Sequence, residues 1–197
     1  MINLQETYGG TMRYLNNDDL KKYSSSMLYR EKAMILESAD FSKKSAYAEC
    51  QVFLSHSSKD IEALPEVIKF LESFGVKVYI DKNDKSLPSS TSPKTADILK
   101  KRINDSKKII VLVSENSKES KWIPWELGLA DVMKTVDNIA LLPLTNNSSK
   151  PSWPEQEYLG LYPRVALTRF KNQYIDQWIV VNHHEDTGTE ISEWLRK

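Results

Sequence analysis

A single cysteine, Cys50, stands in a chain of 197 residues, so neither an intrachain disulfide nor a cysteine-built metal centre is available. That scarcity fits a reducing, cytoplasmic setting. Glycine is also sparse, at six residues. None of the six falls into G-x-G-x-x-G, G-x-x-x-x-G-K or G-x-S-x-G, which removes the dinucleotide-cofactor fingerprint, the P-loop and the hydrolase elbow. Charge of one sign is not in excess: 27 Lys plus Arg face 27 Asp plus Glu, whereas a general nucleic-acid binder carries a basic surplus. No apolar run approaches the ~20 residues that span a bilayer. The N-terminus lacks the basic and apolar blocks of a secretory signal. Histidine numbers three, and the adjacent His183 and His184 have no partners at metal-ligand spacing. The expectations are a soluble cytoplasmic protein with no metal, no nucleic-acid partner and no membrane partner.

What is present divides in two. Met1 to Ala48 shows no strand pattern. Tyr23, Met27, Met34 and Leu36 are spaced loosely like helix faces, so residues 1–48 read as a helical extension packed on the main domain and joined to it by the Ser/Lys-rich stretch Ser38 to Ser45. From Glu49 the character changes. Cys50 to Leu54 is a short β-prone run, and the polar loop Ser55-His56-Ser57-Ser58-Lys59-Asp60 follows it. Ile61, Leu64, Val67, Ile68, Leu71 and Phe74 then recur at helical spacing. Pro65 places the start of that helix near Ala63, and Gly75 closes it. Val76 to Ile80 is a second strand, ending at Asp81. The loop Lys82 to Ser92 leads to a helix opened by Pro93 and lined by Ala96, Leu99 and Ile103. Lys107 to Val113 and Ile139 to Leu144 are the third and fourth strands. Asn146 to Glu155 reads as loop. Arg164 to Thr168 and Gln177 to Val181 are further β-prone runs of unassigned pairing, and Glu190 to Arg196 is a terminal helix. The basic clusters Lys100-Lys101-Arg102 and Lys107-Lys108 read as solvated faces. Near-continuous apolar strands alternating with helices imply a parallel sheet covered on both faces. The fold class is α/β, a flavodoxin-like doubly wound domain over residues 49–197. Loops after its first three strands should converge on one crevice.

The organising stretch runs from Ser114 to Asp131. It leaves the apolar strand Ile109 to Val113, crosses a polar turn and enters a helix. Pro124 suits only a first helical turn, and Ser120 is a candidate N-cap. Trp122 and Glu126, four residues apart, share a face, which sets an aromatic plane beside a carboxylate at the end of the sheet where open α/β folds bind ligands. Trp125 pairs with Leu129 at helical spacing and joins Val132 and Met133 as the expected buried face. As a carboxylate at a helix start, Glu126 is expected to be ionised, favoured by the dipole.

Val52-Phe53-Leu54-Ser55-His56-Ser57-Ser58-Lys59-Asp60 resembles the opening strand and loop of TIR (Toll/interleukin-1 receptor) domains. Gly75-Val76-Lys77-Val78-Tyr79 resembles their second strand. Trp122-Ile123-Pro124-Trp125-Glu126 has the W-x-x-x-E spacing of catalytic members. The three motifs occur in the family's order. The resemblance implies an enzyme that cleaves NAD between nicotinamide and ribose, giving ADP-ribose or a cyclic isomer that serves as a signal. In bacteria such enzymes act in anti-phage defence, including Thoeris systems, where the product activates a separate effector. NAD would be substrate, and no cofactor is expected. By the same resemblance Glu126 is catalytic. Phe53, Ser55 and His56 form the floor and rim of the nucleotide site, Trp122 lies beside the nicotinamide ribose, and Lys121 and Asp81 add substrate contacts. The Lys82 to Ser92 loop would help neighbouring protomers assemble, although the Leu87 to Pro93 part lacks the family's glycine.

The chemistry is consistent with one carboxylate. Nicotinamide in NAD is already cationic and leaves without a proton, so a single charge suffices to stabilise the oxocarbenium-like ribose. Blander readings stand beside these. Glu126 also fits as a dipole-favoured helix-start acid, His56 as a loop histidine making backbone contacts, and Phe53 as core. A non-catalytic TIR adaptor is the alternative function. A deoxyribosyltransferase is disfavoured by motif order, and a response regulator by Ser114 at the position of its phospho-acceptor aspartate.

Overall fold

The computed structural model describes residues 2–3, 12–24, 27–39, 51–81, 92–146, 157–170 and 174–197. Two short strands, β1 (Ile2–Asn3) and β2 (Leu15–Asn16), and two helices, α1 (Asn17–Ser24) and α2 (Tyr29–Ser38), come first. Then follow β3 (Gln51–Ser55), α3 (Leu64–Glu72), β4 (Lys77–Tyr79), α4 (Pro93–Asp105), β5 (Lys108–Val113) and α5 (Trp122–Met133). The remainder is β6 (Ile139–Thr145), β7 (Arg164–Arg169), β8 (Asp176–Asn182), β9 (Thr187–Glu190) and α6 (Ile191–Arg196).

Strands β4, β3, β5, β6 and β7 lie side by side in that order, all parallel. This is the doubly wound arrangement, with a switch point beside β3. Beyond β7 the sheet turns antiparallel through β8, β9 and β1, so the two β-prone runs of unassigned pairing form an antiparallel pair inside the sheet, between β6 and β9.

Alternation along the strands sorts the core onto two faces. Val52, Leu54, Ile110, Leu112, Ala140 and Leu142 meet α1, α2, α3 and α6, with Phe70 and Trp194 among the covering side chains. Phe53, Ile109, Val111, Val113, Ile139 and Leu141 meet α4 and α5 through Leu99, Ile103, Ile123, Leu127 and Ala130. Ser55 follows Phe53 by two residues, so it continues the α4/α5 face at the carboxyl end of β3.

Local signals set several boundaries. Ser92 caps α4, accepting from the Thr95 N–H, with Pro93 next, as expected of a Ser-Pro helix start. Pro65 sits in the first turn of α3 after Ala63. Gly75 ends that segment at φ +84°, and a Cβ added there would meet nothing within 4 Å. Its constraint is therefore backbone conformation alone. Gly75→Ala is expected to cost about 1–2 kcal/mol, read as a lowered urea midpoint with unchanged slope.

The strandless reading of residues 1–48 does not hold. β1 pairs with β9, and β2 pairs with β6 at Leu15–Leu144 and Asn16–Thr145. Arg13 exchanges backbone hydrogen bonds with Leu167 in both directions, at 3.0 and 2.7 Å. Strand β7 is in register with β6 at Leu141–Arg164, and the N-terminal strand supplies further backbone partners to both, at Leu144 and Thr145 of β6 and Leu167 of β7. Arg13 also forks onto Asp19 at 2.5 and 2.9 Å. Tyr23, Met27 and Leu36 pack on the core, but Met34 is exposed. The Ser38–Ser45 link lies outside the described residues from position 40 onward, as do most of the Asn146–Glu155 loop and residues 82–91.

Two further expectations are corrected. Lys108 is buried, not solvated: its ammonium donates to Asn138 Oδ1 at 2.6 Å and lies 4.6 Å from the Trp194 ring centroid. The aromatic face lets a cation sit inside the fold. In α5 the buried residues are Ile123, Glu126, Leu127 and Ala130, while Val132 is 86% exposed and Met133 also faces outward. The helix is apolar on nearly every side, so its sequence does not mark which face turns inward.

Candidate active site

Three loops at the carboxyl ends of β3, β4 and β5 bring the candidate residues together. Ser55 ends β3 and His56 follows it. Asp81 lies just past β4. Glu126 comes from α5, which begins beyond β5.

The centre is a hydrogen bond from the Ser55 hydroxyl to Glu126 Oε2, 2.5 Å long, between residues 71 apart in the chain. Glu126 is 2% exposed, and its Oε1 has no hydrogen-bond partner among the described residues. Burial pushes the Glu126 carboxyl well above the usual carboxylate range. The nearby Asp81 charge adds to that, and the Ser55 hydrogen bond opposes it. The expected ionised helix-start acid is thus corrected. Glu126 is the fifth residue of α5, past the first turn where unpaired N–H groups favour an anion, and desolvation outweighs what dipole remains. Ser120 does serve the helix start, accepting from the Ile123 N–H at 3.3 Å, although Lys121 occupies the cap position itself.

His56 is buried. Its Nδ1 is 3.2 Å from the Leu54 carbonyl oxygen and 3.8 Å from Asp81 Oδ1. Phe53 is fully enclosed, its ring 5.4 Å from that of Tyr79. It belongs to the core on the α4/α5 side of the sheet and presents no surface of its own. Trp122 is half-buried and meets Trp125 edge-on at 5.4 Å, so both indoles pack on the α5 face. Lys121 is exposed at the entrance to the helix. The structure therefore groups Ser55, His56, Asp81 and Glu126, keeps Phe53 in the core, and leaves Lys121 on the surface.

Sequence reasoning overlooked Asp60. Its buried carboxylate accepts from the Ser114 hydroxyl at 2.9 and 2.8 Å and from the Asn116 amide at 2.6 Å. Lys59 and Glu119 form an ion pair between the same two loops, and the Ser117 hydroxyl donates to the Leu112 carbonyl at 3.1 Å. This clamp ties the loop carrying Ser55 and His56 to the loop that launches α5. Its partners lie more than fifty residues away in sequence, and no local pattern announces them.

Among the described residues no cluster of three or more His, Cys, Asp or Glu side chains is placed to hold a metal ion. No described helix is long and apolar enough to cross a membrane.

The model of the TIR domain matches residues 52–180. Over 190 residues the chain is 34% identical to a Bacillus cereus protein named probable 3' cyclic ADP-D-ribose synthase ThsB', covering 93% of this chain and 95% of that one. Over 95 residues it is 35% identical to the putative cyclic ADP-D-ribose synthase TIR2 of Cytobacillus dafuensis, a match that spans 47% of this chain and 24% of that protein. The matched region begins inside β3, takes in every strand of the parallel block and ends in β8, and on that ground the chain belongs to the TIR domain family.

Proposed function

We propose that the protein is an NAD-cleaving enzyme that releases nicotinamide and closes the remaining ADP-ribose into a cyclic isomer. The observation that carries this reading is Glu126: a fully buried carboxyl with one oxygen held by Ser55 and the other open, in a chain that matches a named cyclic ADP-D-ribose synthase along almost its whole length.

The chemistry follows from the charges. Nicotinamide departs with the electron pair of the C–N bond, which neutralises its ring, and positive charge develops on the ribose carbon. Glu126 supplies the opposing charge at that centre. In the free protein burial favours its protonated form. A cationic nicotinamide ring and ribose hydroxyls donating to Oε1 both favour the carboxylate, so substrate binding itself converts Glu126 to its working state. The half-buried Trp122 is assigned to the nicotinamide ribose, and Lys121 and Asp81 to the outer part of the substrate. No cofactor takes part in this reading. We extend it to a cytoplasmic, anti-phage role in which the cyclic product activates a separate effector and TIR surfaces self-associate.

The test is a time course of purified protein with NAD at several protein concentrations, with nicotinamide and all adenine-containing products resolved by chromatography and mass. Nicotinamide with a product lighter than ADP-ribose by one water is expected, at a rate per protein that rises with concentration. ADP-ribose alone would make the protein a hydrolase. No release at any concentration, with or without a crowding agent, would leave an adaptor.

A further inference from the structure

Ring closure requires a base. When a ribose hydroxyl of the same molecule attacks the nicotinamide-bearing carbon, an O–C bond forms and the C–N bond breaks. Nicotinamide leaves neutral with the electron pair, and the hydroxyl proton has to be taken up. Glu126 is poorly suited to that second task. Its Oε2 is engaged by Ser55, and its charge is needed at the ribose carbon.

His56 is built for it. Its Nδ1 lies 3.2 Å from the Leu54 carbonyl oxygen. A carbonyl only accepts, so Nδ1 carries the hydrogen and the lone pair is on Nε2. That contact fixes the tautomer of the neutral ring, with Nε2 as its accepting nitrogen. Asp81 Oδ1 stands 3.8 Å from the same Nδ1, which places a carboxylate on the opposite side of the ring from Nε2 and within Coulombic reach of the charge that proton uptake creates. The His56 side chain is 2% exposed and that of Asp81 29%, so the pair runs from the enclosed site to water. His56 is also the neighbour of Ser55, which holds Glu126. A backbone-anchored imidazole with a carboxylate behind it is a recurrent way to remove a proton from a hydroxyl.

We propose that His56 accepts the hydroxyl proton during ring closure, and that Asp81 is the positioning residue that stabilises its charged form and connects it to solvent. This rests on the NAD-cleaving reading and adds a division of labour: Glu126 for bond breaking, His56 with Asp81 for closure. The alternative for an intermediate without its base is capture by water, which gives ADP-ribose.

The experiment compares wild type, His56→Gln and Asp81→Asn with NAD, measuring nicotinamide together with the ratio of cyclic product to ADP-ribose. Nicotinamide release reports the fold and the Glu126 step; the ratio reports closure. His56→Gln is expected to lower the ratio by at least about tenfold, and Asp81→Asn by a few-fold, in line with loss of a general base or its support. Ratios within twofold of wild type in variants that still release nicotinamide would overturn the assignment. Should His56→Gln fail to fold, an unchanged ratio in Asp81→Asn overturns it alone. A wild type that yields only ADP-ribose also overturns it, while a wild type that releases no nicotinamide overturns the underlying function instead.

Discussion

Replacing Glu126 by Gln is expected to reduce nicotinamide release from NAD by about a thousandfold or more, the scale of losing a preorganised electrostatic stabiliser. The substitution keeps the side chain's shape and an oxygen to accept from Ser55, and removes the charge. It also has a second signature that a merely damaged protein would not show. The folded protein holds the Glu126 proton well above the ordinary carboxylate value of 4.5. As pH rises past that value the unfolded chain releases its proton while the native state keeps it. The unfolded state then binds fewer protons, so stability falls with rising pH until the native carboxyl also ionises. Wild type is therefore expected to lose melting temperature across that interval, and Glu126→Gln to lose less. Thermal melts at a series of pH values, run beside the chromatographic assay, check both. A variant that keeps wild-type turnover would sink the mechanism. Identical pH slopes would show that Glu126 is not held protonated in the free protein. The strain has a functional sense: a carboxylate costly to ionise alone becomes favourable only when a cation arrives, an instance of stability given up at a working site.

Removing the Asp60 carboxylate should have the largest effect on the fold among the site's supports. Asp60→Ala deletes the acceptor for Ser114 and Asn116 and leaves the buried Ser114 hydroxyl without it. The expected cost is about 2–4 kcal/mol, or roughly 5–15 °C in melting temperature at 2–4 °C per kcal/mol for a chain of this size. Activity should fall beyond what unfolding explains, because the clamp sets the loop with Ser55 and His56 against the approach to α5, and small misplacements of reacting groups are costly. Asp60→Asn, which keeps the shape and one acceptor oxygen, should recover more than half of the lost stability. Denaturant titration and steady-state turnover on the same preparations decide the matter. An Asp60→Ala protein as stable and active as wild type would mean that the two loops are held by their other contacts.

Much of the fold was legible because it is written in short-range patterns. The apolar runs at β3, β5 and β6, the Ser92-Pro93 helix start, Pro65 and Gly75 each act through neighbouring residues, and each element stands where those signals put it. The β7–β8 hairpin was harder. Its runs are visible, but which strands they pair with depends on the order of the whole sheet, where β7 lies between β6 and β8 and β8 between β7 and β9. The N-terminal strands were invisible for the same reason. Two-residue segments such as Leu15–Asn16 carry no period, and become strands only because Leu144 and Thr145 of β6 are there to pair with them.

By itself, then, the sequence determined the α/β class, the succession of strands and helices along the chain from β3 to β6 and the residue types gathered at the carboxyl ends of those strands, since periodicity, capping and turn chemistry are local. Tertiary structure alone decided the rest. It turned Ile123, Leu127 and Ala130 of a nearly all-apolar helix inward and with them buried Glu126. It set Ser55 against that carboxyl across 71 residues of chain, placed Asp81 behind His56, and tied the two loops through Asp60. Burial and long-range distance govern a carboxyl's proton affinity, and neither exists until the chain has closed on itself.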